Sequence, residues 1–283
     1  MQENNPNEDP QTTDGLEENS DLESPELENE DGLQQLLEWA FGGFIGLCVV
    51  GFVLALIPAE KRMGHPARTP CLNNLRQLGL AMQNYSASKM RLPYAYISDD
   101  DGKPIHSWRV SLLPFIGQEN LYNEYSFDEP WDGPNNSKLH SIVVPAYYCP
   151  DKITAEADVF RASYVVVTGE GTAFDGTKKI SASDIADGLS NTLAIVEVKS
   201  ANTHWMEPVD ITIDEMITRF SDEKMAEQYC VHPGEIHIAL LDGSTHTLRV
   251  PIDAVELRNL IEIDDGNIVN VNDLRSNSLE AEE

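Results

Sequence analysis

One stretch of the chain is apolar without interruption, and it limits what the rest of the chain can form. Residues Trp39–Ile57 read WAFGGFIGLCVVGFVLALI, a run without a charge or a side-chain amide. As a helix this run would span about 28 Å, enough to cross the hydrocarbon core of a bilayer. We therefore predict one transmembrane helix over residues 38–58, which ties a globular domain to a membrane.

The segment before this run is strongly acidic. Residues 1–37 hold twelve Asp or Glu and no Lys or Arg, and they are nearly free of aromatic and β-branched side chains. Such a segment cannot bury enough apolar surface to offset the entropy of ordering, so we predict a disordered tail. The whole chain has a net charge of −29 and no basic stripe, which argues against nucleic acid as a partner.

The remaining chain is long enough for a sizeable folded domain. We predict a linker over residues 59–70, an α+β domain over 71–272 and an acidic C-terminal tail over 273–283. Thr69 is a candidate N-cap, with Pro70 at the first helical position. The helix that follows has one apolar stripe with three- and four-residue spacing, formed by Leu72, Leu75, Leu78, Met82 and Tyr85. This stripe is typical of a helix that packs on a sheet.

From Leu92 onward the pattern changes to short strands and turns. Asp242-Gly243 is a strong hairpin signal, because both central turn positions need positive φ. Asp253 followed by Glu256 predicts the start of a last helix over residues 254–261. The strand candidates are Ser163–Thr168, Leu193–Val198, Ile236–Leu241 and Thr245–Val250.

A series of short segments, in order, resembles one large bacterial family, known as domain of unknown function 1559. The first is the helical segment Cys71–Tyr85 directly after the apolar run. The last is His232-Pro233-Gly234 followed by Asp242-Gly243, which matches the family's C-terminal signature of His, nine residues and Asp-Gly. Between them the resemblance includes His106–Val110, Phe127–Asp132, Tyr148–Asp151, Tyr164–Phe174 and Ser190–Thr192.

The resemblance implies a pilin-like or pseudopilin-like architecture. It implies an N-terminal helix in a bacterial cell membrane, a second helix packed on an antiparallel β-sheet with long loops, and other pilin-like subunits as partners. The expected location outside the cytoplasm implies a disulfide between Cys71 and Cys149. Gly32–Glu38 departs from the family's peptidase site, and this favours a permanent anchor over a processed filament subunit.

The chemistry-bearing residues admit a structural and a catalytic interpretation. We expect the family motif, His232 with Asp242 and Gly243, to be an entry loop and a hairpin turn rather than a catalytic pair. No nucleophile elbow or Gly-rich phosphate loop is visible, so we predict no enzyme. Cys230 and His232 with Cys149 lack a second spaced metal-binding pair, so we predict no metal site.

Three alternatives remain open. Calcium is a candidate cofactor, because hard oxygen donors occur in the loops at Asp99–Asp101, Asp175-Gly176, and Asp187 with Asn191; otherwise we predict no cofactor. A membrane-tethered module for an extracellular ligand such as a glycan would use exposed Trp108, Trp131 and Trp205. A hydrolase would need His232 beside a carboxylate in a cleft. Our leading interpretation is a non-enzymatic, single-pass membrane protein with a role in structure, secretion or surface assembly, whose C-terminal domain is exported.

Overall fold

The computed structural model describes residues 68–153, 155–199 and 202–276, all within the compact unit Met63–Glu283. The predicted acidic tail over 1–37 and the predicted membrane helix over 38–58 lie outside the described residues. Within the described ranges, no helix is both long and apolar enough to cross a bilayer.

The described residues form a mixed α+β fold. Its α-helices are α1 (Arg68–Lys89), α2 (Trp108–Leu112), α3 (Glu119–Glu124), α4 (Ile213–Phe220), α5 (Glu223–Tyr229), α6 (Ala254–Ile261) and α7 (Val271–Ser276). Single 3₁₀ turns occur at Leu113–Ile116, Asn136–Leu139, Pro145–Tyr147, Pro150–Lys152, Glu156–Phe160 and Ala182–Asp184. Side-chain caps begin four of the α-helices, and these caps are Ser107, Thr212, Asp222 and Asp253.

The strands form one four-stranded antiparallel sheet and two small pairs. They are β1 (Tyr96–Ser98), β2 (Pro104–Ser107), β3 (Tyr164–Val165), β4 (Val167–Thr168), β5 (Leu193–Glu197), β6 (Ile211–Thr212), β7 (Glu235–Leu240) and β8 (Thr245–Arg249). The main sheet has the order β3-β5-β7-β8. Strands β1 and β2 pair antiparallel, and β4 pairs with β6 in parallel.

The main sheet is buried on both faces because its strands alternate between two apolar cores. On β7, Ile236, Ile238 and Leu240 belong to the core that contains α4 to α7. Ala239 and the following Leu241 belong to the other core, which contains α1. The sheet is therefore the middle layer between α1 and the C-terminal helices.

Helix α1 packs closely on this sheet. Its buried stripe is Cys71, Leu75, Leu78, Met82 and Tyr85. At Gly79 the helix passes over the β7–β8 hairpin: a Cβ placed there would lie 3.3 Å from Gly243 Cα and 3.5 Å from Ala239 Cβ. The small residues on both sides thus let the helix backbone approach the turn.

A buried ion pair ties the segment after β2 to the edge of the main sheet. Arg109 in α2 is fully buried, and its Nη2 lies 2.8 Å from Asp210 Oδ1. The same guanidinium donates to the carbonyl of Tyr164 in β3 and to Ser107 Oγ. Asp210 also accepts from the Trp108 indole and from the Val166 amide. Both the guanidinium and the carboxylate thus have further hydrogen bonds, which a buried ion pair requires.

The predicted α+β class with an antiparallel sheet and most predicted main-sheet elements are confirmed. All four strand candidates contain strands, β7 and β8 pair through Asp242-Gly243, and the last helix occupies residues 254–261 with Asp253 as its cap. Two helices cross the predicted domain boundaries. Helix α1 includes Arg68–Pro70, at the end of the predicted linker, and α7 crosses the predicted 272/273 boundary.

The segment after Leu92 is only partly strand. Its apolar stretches Ser107–Ile116 and Leu121–Tyr125 are helical and contain α2, a 3₁₀ turn and most of α3. The sequence analysis also missed α4 and α5. These helices are seven or eight residues long, and their apolar faces are specified by packing on the sheet more than by a long periodic pattern.

We expect Arg109→Met to destabilise the domain by about 3–5 kcal/mol, because it leaves Asp210 as a buried charge without its counterion. Chemical denaturation of the two proteins would measure the loss. The matched control is Arg258→Met, which removes a half-exposed ion pair with Glu262 and should cost no more than about 1 kcal/mol. Equal losses in the two variants would contradict the importance of the Arg109–Asp210 pair.

Candidate functional site

The candidate site is a buried polar cluster at one end of the main sheet, under the start of α1. Its centre is Glu197, the last residue of β5, which is 1% exposed. Glu197 Oε2 lies 2.8 Å from His237 Nδ1 and 3.4 Å from His232 Nε2. The other ring nitrogen of His232, Nδ1, lies 3.6 Å from Asp151 Oδ2. The two imidazole rings are 4.4 Å apart, centre to centre.

Strand pairing explains why these residues meet. Val196 of β5 pairs with Ile238 of antiparallel β7, so the next residue on β5 lies beside His237. On its other side, Glu197 pairs with Tyr164 of β3. His232 lies just before β7 and forms an antiparallel backbone bridge with Glu235. This bridge turns the chain back at the end of the sheet and keeps His232 beside it. A charged residue thus occupies the sheet face that α1 covers.

A disulfide between Cys71 and Cys149 lies next to this cluster, within 4.8 Å of Glu197 and His232. Cys71 lies in the first turn of α1, Cys149 lies just before a 3₁₀ turn, and both are fully buried. The Tyr164 hydroxyl donates to the carbonyl of Cys71, which ties the helix start to β3 as well. The disulfide closes a loop of 78 residues and stabilises the fold by about 4.5 kcal/mol in the chain-entropy description.

Burial and charge work against each other at Glu197. Burial acts to raise its pKa, but hydrogen bonds and positive charge from His232 and His237 outweigh burial, and the net shift is downward. Nearby, burial lowers the pKa of Lys152 to about 8, although Asp158 and Glu197 oppose this shift. Burial and the charge of Glu197 raise the pKa of the Cys230 thiol to about 12, so this free cysteine is held as the unreactive thiol.

The family motif is divided between two places in the fold. His232 belongs to the buried cluster, whereas Asp242 and Gly243 form the β7–β8 turn at the other end of β7. Gly243 has a φ of +81°, and Asp242 Oδ1 accepts from the Ser244 amide. A catalytic pair of His232 with Asp242 is thus not formed. The carboxylates that His232 does meet, Glu197 and Asp151, were not among the predicted site residues.

The three tryptophans proposed for a glycan groove do not form one. Trp108 is 0% exposed and Trp205 is 1% exposed. Trp131 is partly buried and stacks on His140 and His204. Two of the three rings lie inside the core, where they cannot bind a sugar. The prediction of a groove formed by the three tryptophans is therefore wrong.

The predicted calcium donors are used within the fold. Asp99 Oδ1 accepts from the amides of Asp101 and Lys103, which closes the β1–β2 turn. The buried carboxylate of Asp187 accepts from the amides of Asp265 and Gly266. Asn191 donates to the Asp187 carbonyl, and Asp175 pairs with Lys178. These contacts give the acidic turns a structural role.

A second feature is an open groove at the other end of α1. Its volume is about 430 Å³, and aromatic and basic side chains line most of it: Tyr85, Tyr94, Phe115, Tyr122, Phe127, Lys89 and Arg91. The Arg91 guanidinium lies 4.0 Å from the centre of the Tyr94 ring. Two cations beside a row of rings stand out in a chain with a net charge of −29.

Sequence reasoning missed Glu197 and His237, although each left a signal. Glu197 is a charged residue within the apolar strand Leu193–Val198, and His237 interrupts the strand Ile236–Leu241. A charge that enters a buried strand requires a buried partner. Reading both strands for such a pair would have located the cluster, but not the approach of His232 and Asp151 from loops.

Comparison with known proteins gives one family. A sequence model of the family described as "Protein of unknown function (DUF1559)" matches residues 67–209, which include α1, both disulfide cysteines and Glu197. The matched range ends before His232. No curated protein and no solved structure matches the chain.

We expect Glu197→Gln to reduce the loss of free energy of unfolding that acid pH causes. Because the pKa of Glu197 is lowered by folding, its contribution is present above its unfolded pKa of about 4.3 and is lost as pH falls through the folded pKa. The wild type should therefore lose more free energy of unfolding than the variant below about pH 5. Urea titrations over this range, with exposed Glu124→Gln as the control, would measure the difference. Parallel pH profiles for wild type and Glu197→Gln would contradict the lowered pKa.

Proposed function

The chain belongs to the DUF1559 family, and we propose that it is a single-pass membrane protein whose α+β domain lies outside the cytoplasm and serves a structural role in secretion or surface assembly. The main support for this proposal is the way in which α1 packs on the main sheet. The helix lies lengthwise on an antiparallel sheet, and the Cys71–Cys149 disulfide joins its first turn to the segment before the 3₁₀ turn Pro150–Lys152.

The arrangement supports a pilin-like role in two ways. In sequence, α1 follows the apolar run Trp39–Ile57 after only ten residues, which suits a helix that continues from a membrane anchor into a domain. The disulfide suits an oxidising compartment, since thiols in the bacterial cytoplasm are kept reduced. The basic residues Lys61, Arg62 and Arg68 after the run would by themselves favour the opposite orientation.

The polar cluster fits a structural role better than a catalytic one. His232 is 5% exposed and Glu197 is 1% exposed, so a substrate has no open path to either side chain. General acid–base catalysis needs the catalytic group within hydrogen-bond reach of the substrate. We therefore propose that the chain is not an enzyme.

Labelling of introduced cysteines would test anchoring and orientation. In a Cys48→Ser, Cys230→Ser background, Lys178→Cys places one thiol at an exposed position of the domain, and Gln2→Cys places one in the acidic tail. A membrane-impermeant maleimide should label Lys178→Cys in cells whose cytoplasmic membrane is intact. It should label Gln2→Cys only after that membrane is broken. The opposite pattern would refute export of the domain.

Extraction and purification test the rest of the proposal separately. Alkaline carbonate should leave the wild-type chain in the membrane pellet and should release a chain that lacks residues 39–57. Release of the wild type would refute the anchor. Mild-detergent purification at native expression should recover other pilin-like subunits, and a strictly monomeric chain would refute the assembly role.

The aromatic and basic groove favours a second candidate function, a tethered binding module for an acidic glycan. Tyrosine and phenylalanine rings provide faces for sugar rings, and Lys89 and Arg91 provide charge for carboxylates. This groove replaces the excluded tryptophan groove as the place where a ligand would bind.

We expect a uronic-acid oligosaccharide to bind the full-length chain more tightly than a neutral oligosaccharide of equal length. Tyr94→Ala should weaken this binding by about 5- to 30-fold, since it removes a ring worth about 1–2 kcal/mol of contact. Calorimetry would measure the binding, with Lys103→Ala, an exposed cation outside the groove, as the control. Equal binding of acidic and neutral sugars, or no effect of Tyr94→Ala, would refute this function.

A further inference from the structure

Four potential metal ligands converge in the candidate site. A sulfur of Cys71, a sulfur of Cys149, a carboxylate oxygen of Glu197 and a ring nitrogen of His232 all lie within 4.8 Å of one another. All four residues are buried, and they come from four distant parts of the chain. In the oxidised protein the two sulfurs are bonded to each other.

The carboxylate in this set has unused bonding capacity. Glu197 is 1% exposed, and its Oε1 has no hydrogen-bond partner among the residues that the structure describes. A buried carboxylate oxygen without a donor is costly, and a bound cation would satisfy it. This is an observation independent of the disulfide.

We propose that the reduced protein binds one Zn²⁺ ion through Cys71, Cys149, His232 and Glu197. Two thiolates, one imidazole and one carboxylate oxygen are all donor types that zinc takes in proteins, and together they give the four ligands of a tetrahedral site. The disulfide and the zinc ion are then two alternative ways to join the first turn of α1 to Cys149, and the zinc ion also binds Glu197 of β5 and His232.

The surroundings resemble those that support zinc ligands. Asp151 Oδ2 lies 3.6 Å from His232 Nδ1, which places a carboxylate on the side of the ring opposite Nε2. His237 Nδ1 lies 2.8 Å from Glu197 Oε2, so a second imidazole stands beside the carboxylate. The three anionic ligands leave one negative charge after Zn²⁺ binds, and the neighbouring ammonium of Lys152 offsets it.

The exchange between the two states balances. A dithiol reductant gives two electrons and two protons to the Cys71–Cys149 bond; the reductant becomes a disulfide and the two cysteines become thiols. Zinc then binds as both thiols release their protons to solvent. In a tetrahedral site the two sulfurs would be about 3.8 Å apart, so they must move apart from their bonded distance by about 2 Å.

The sequence alone predicts no metal site, because Cys230 and His232 with Cys149 lack a second spaced pair. The structure retains His232 and Cys149 but replaces Cys230 with Cys71 and Glu197. The zinc site also stands independently of the proposed membrane role, because its test needs neither export nor assembly partners.

Cobalt titration of the full-length chain in mild detergent would test the site. After reduction with a phosphine, which oxidises to its phosphine oxide and leaves no competing dithiol, Co²⁺ should bind one ion per chain. It should give the thiolate-to-cobalt absorption of a tetrahedral site, and Zn²⁺ should displace it. Without reduction the same protein should bind no Co²⁺ with this signature.

Variants locate the site. Cys149→Ser and His232→Ala should lose the thiolate absorption or its tetrahedral form, and Asp151→Asn should weaken binding by about 10–100-fold. Cys230→Ser is the matched control, a buried cysteine outside the set, and should bind as the wild type does. Circular dichroism on each reduced protein monitors folding; if the reduced chain unfolds without metal, Zn²⁺ should restore its helical signal.

Three results would overturn the proposal. The first is no stoichiometric metal binding, and no recovery of structure, in the reduced chain. The second is the same cobalt spectrum in the oxidised and reduced proteins. The third is a spectrum that disappears in Cys230→Ser but survives in Cys149→Ser.

Discussion

A single buried guanidinium connects segments that the chain separates by a hundred residues. Arg109 reaches from α2 to the carbonyl of Tyr164 in β3 and to the carboxylate of Asp210, just before β6. Burial raises the pKa of Asp210, and Arg109, the Val166 amide and the Trp108 indole oppose that rise. Because each group would be a buried, unsatisfied charge alone, the edge of the main sheet and the loops around it are defined together.

The same reasoning explains the other end of the sheet. Both faces of the sheet are apolar and covered, so Glu197 is tolerated there only with histidines beside it. His232 and the Asp242-Gly243 turn then have separate tasks, one at each end of β7. The nine residues between them correspond to one entry loop and the strand β7. This spacing is thus set by the length of a strand, not by the geometry of a catalytic pair.

How much the sequence could predict depended on the range of the interaction. The stripe of α1, the alternation of β7 and the Asp-Gly turn are local patterns, and each yielded the correct element. The helices α2 to α5 were missed because short segments take their conformation from the surfaces that they cover. Glu197, Asp151 and His232 meet through strand register and loop closure, neither of which is written in any one segment.

The position of the disulfide has a mechanical consequence. The chain enters α1 from the side of the apolar run, and Cys71 is the fourth residue of the helix. A pull on this entry would reach a covalent bond within one helical turn, before it could peel the helix from the sheet. The load would pass to Cys149 and the 3₁₀ turn behind it, so the helix–sheet packing would be spared. A domain built this way resists unfolding when it is pulled from its N-terminal side.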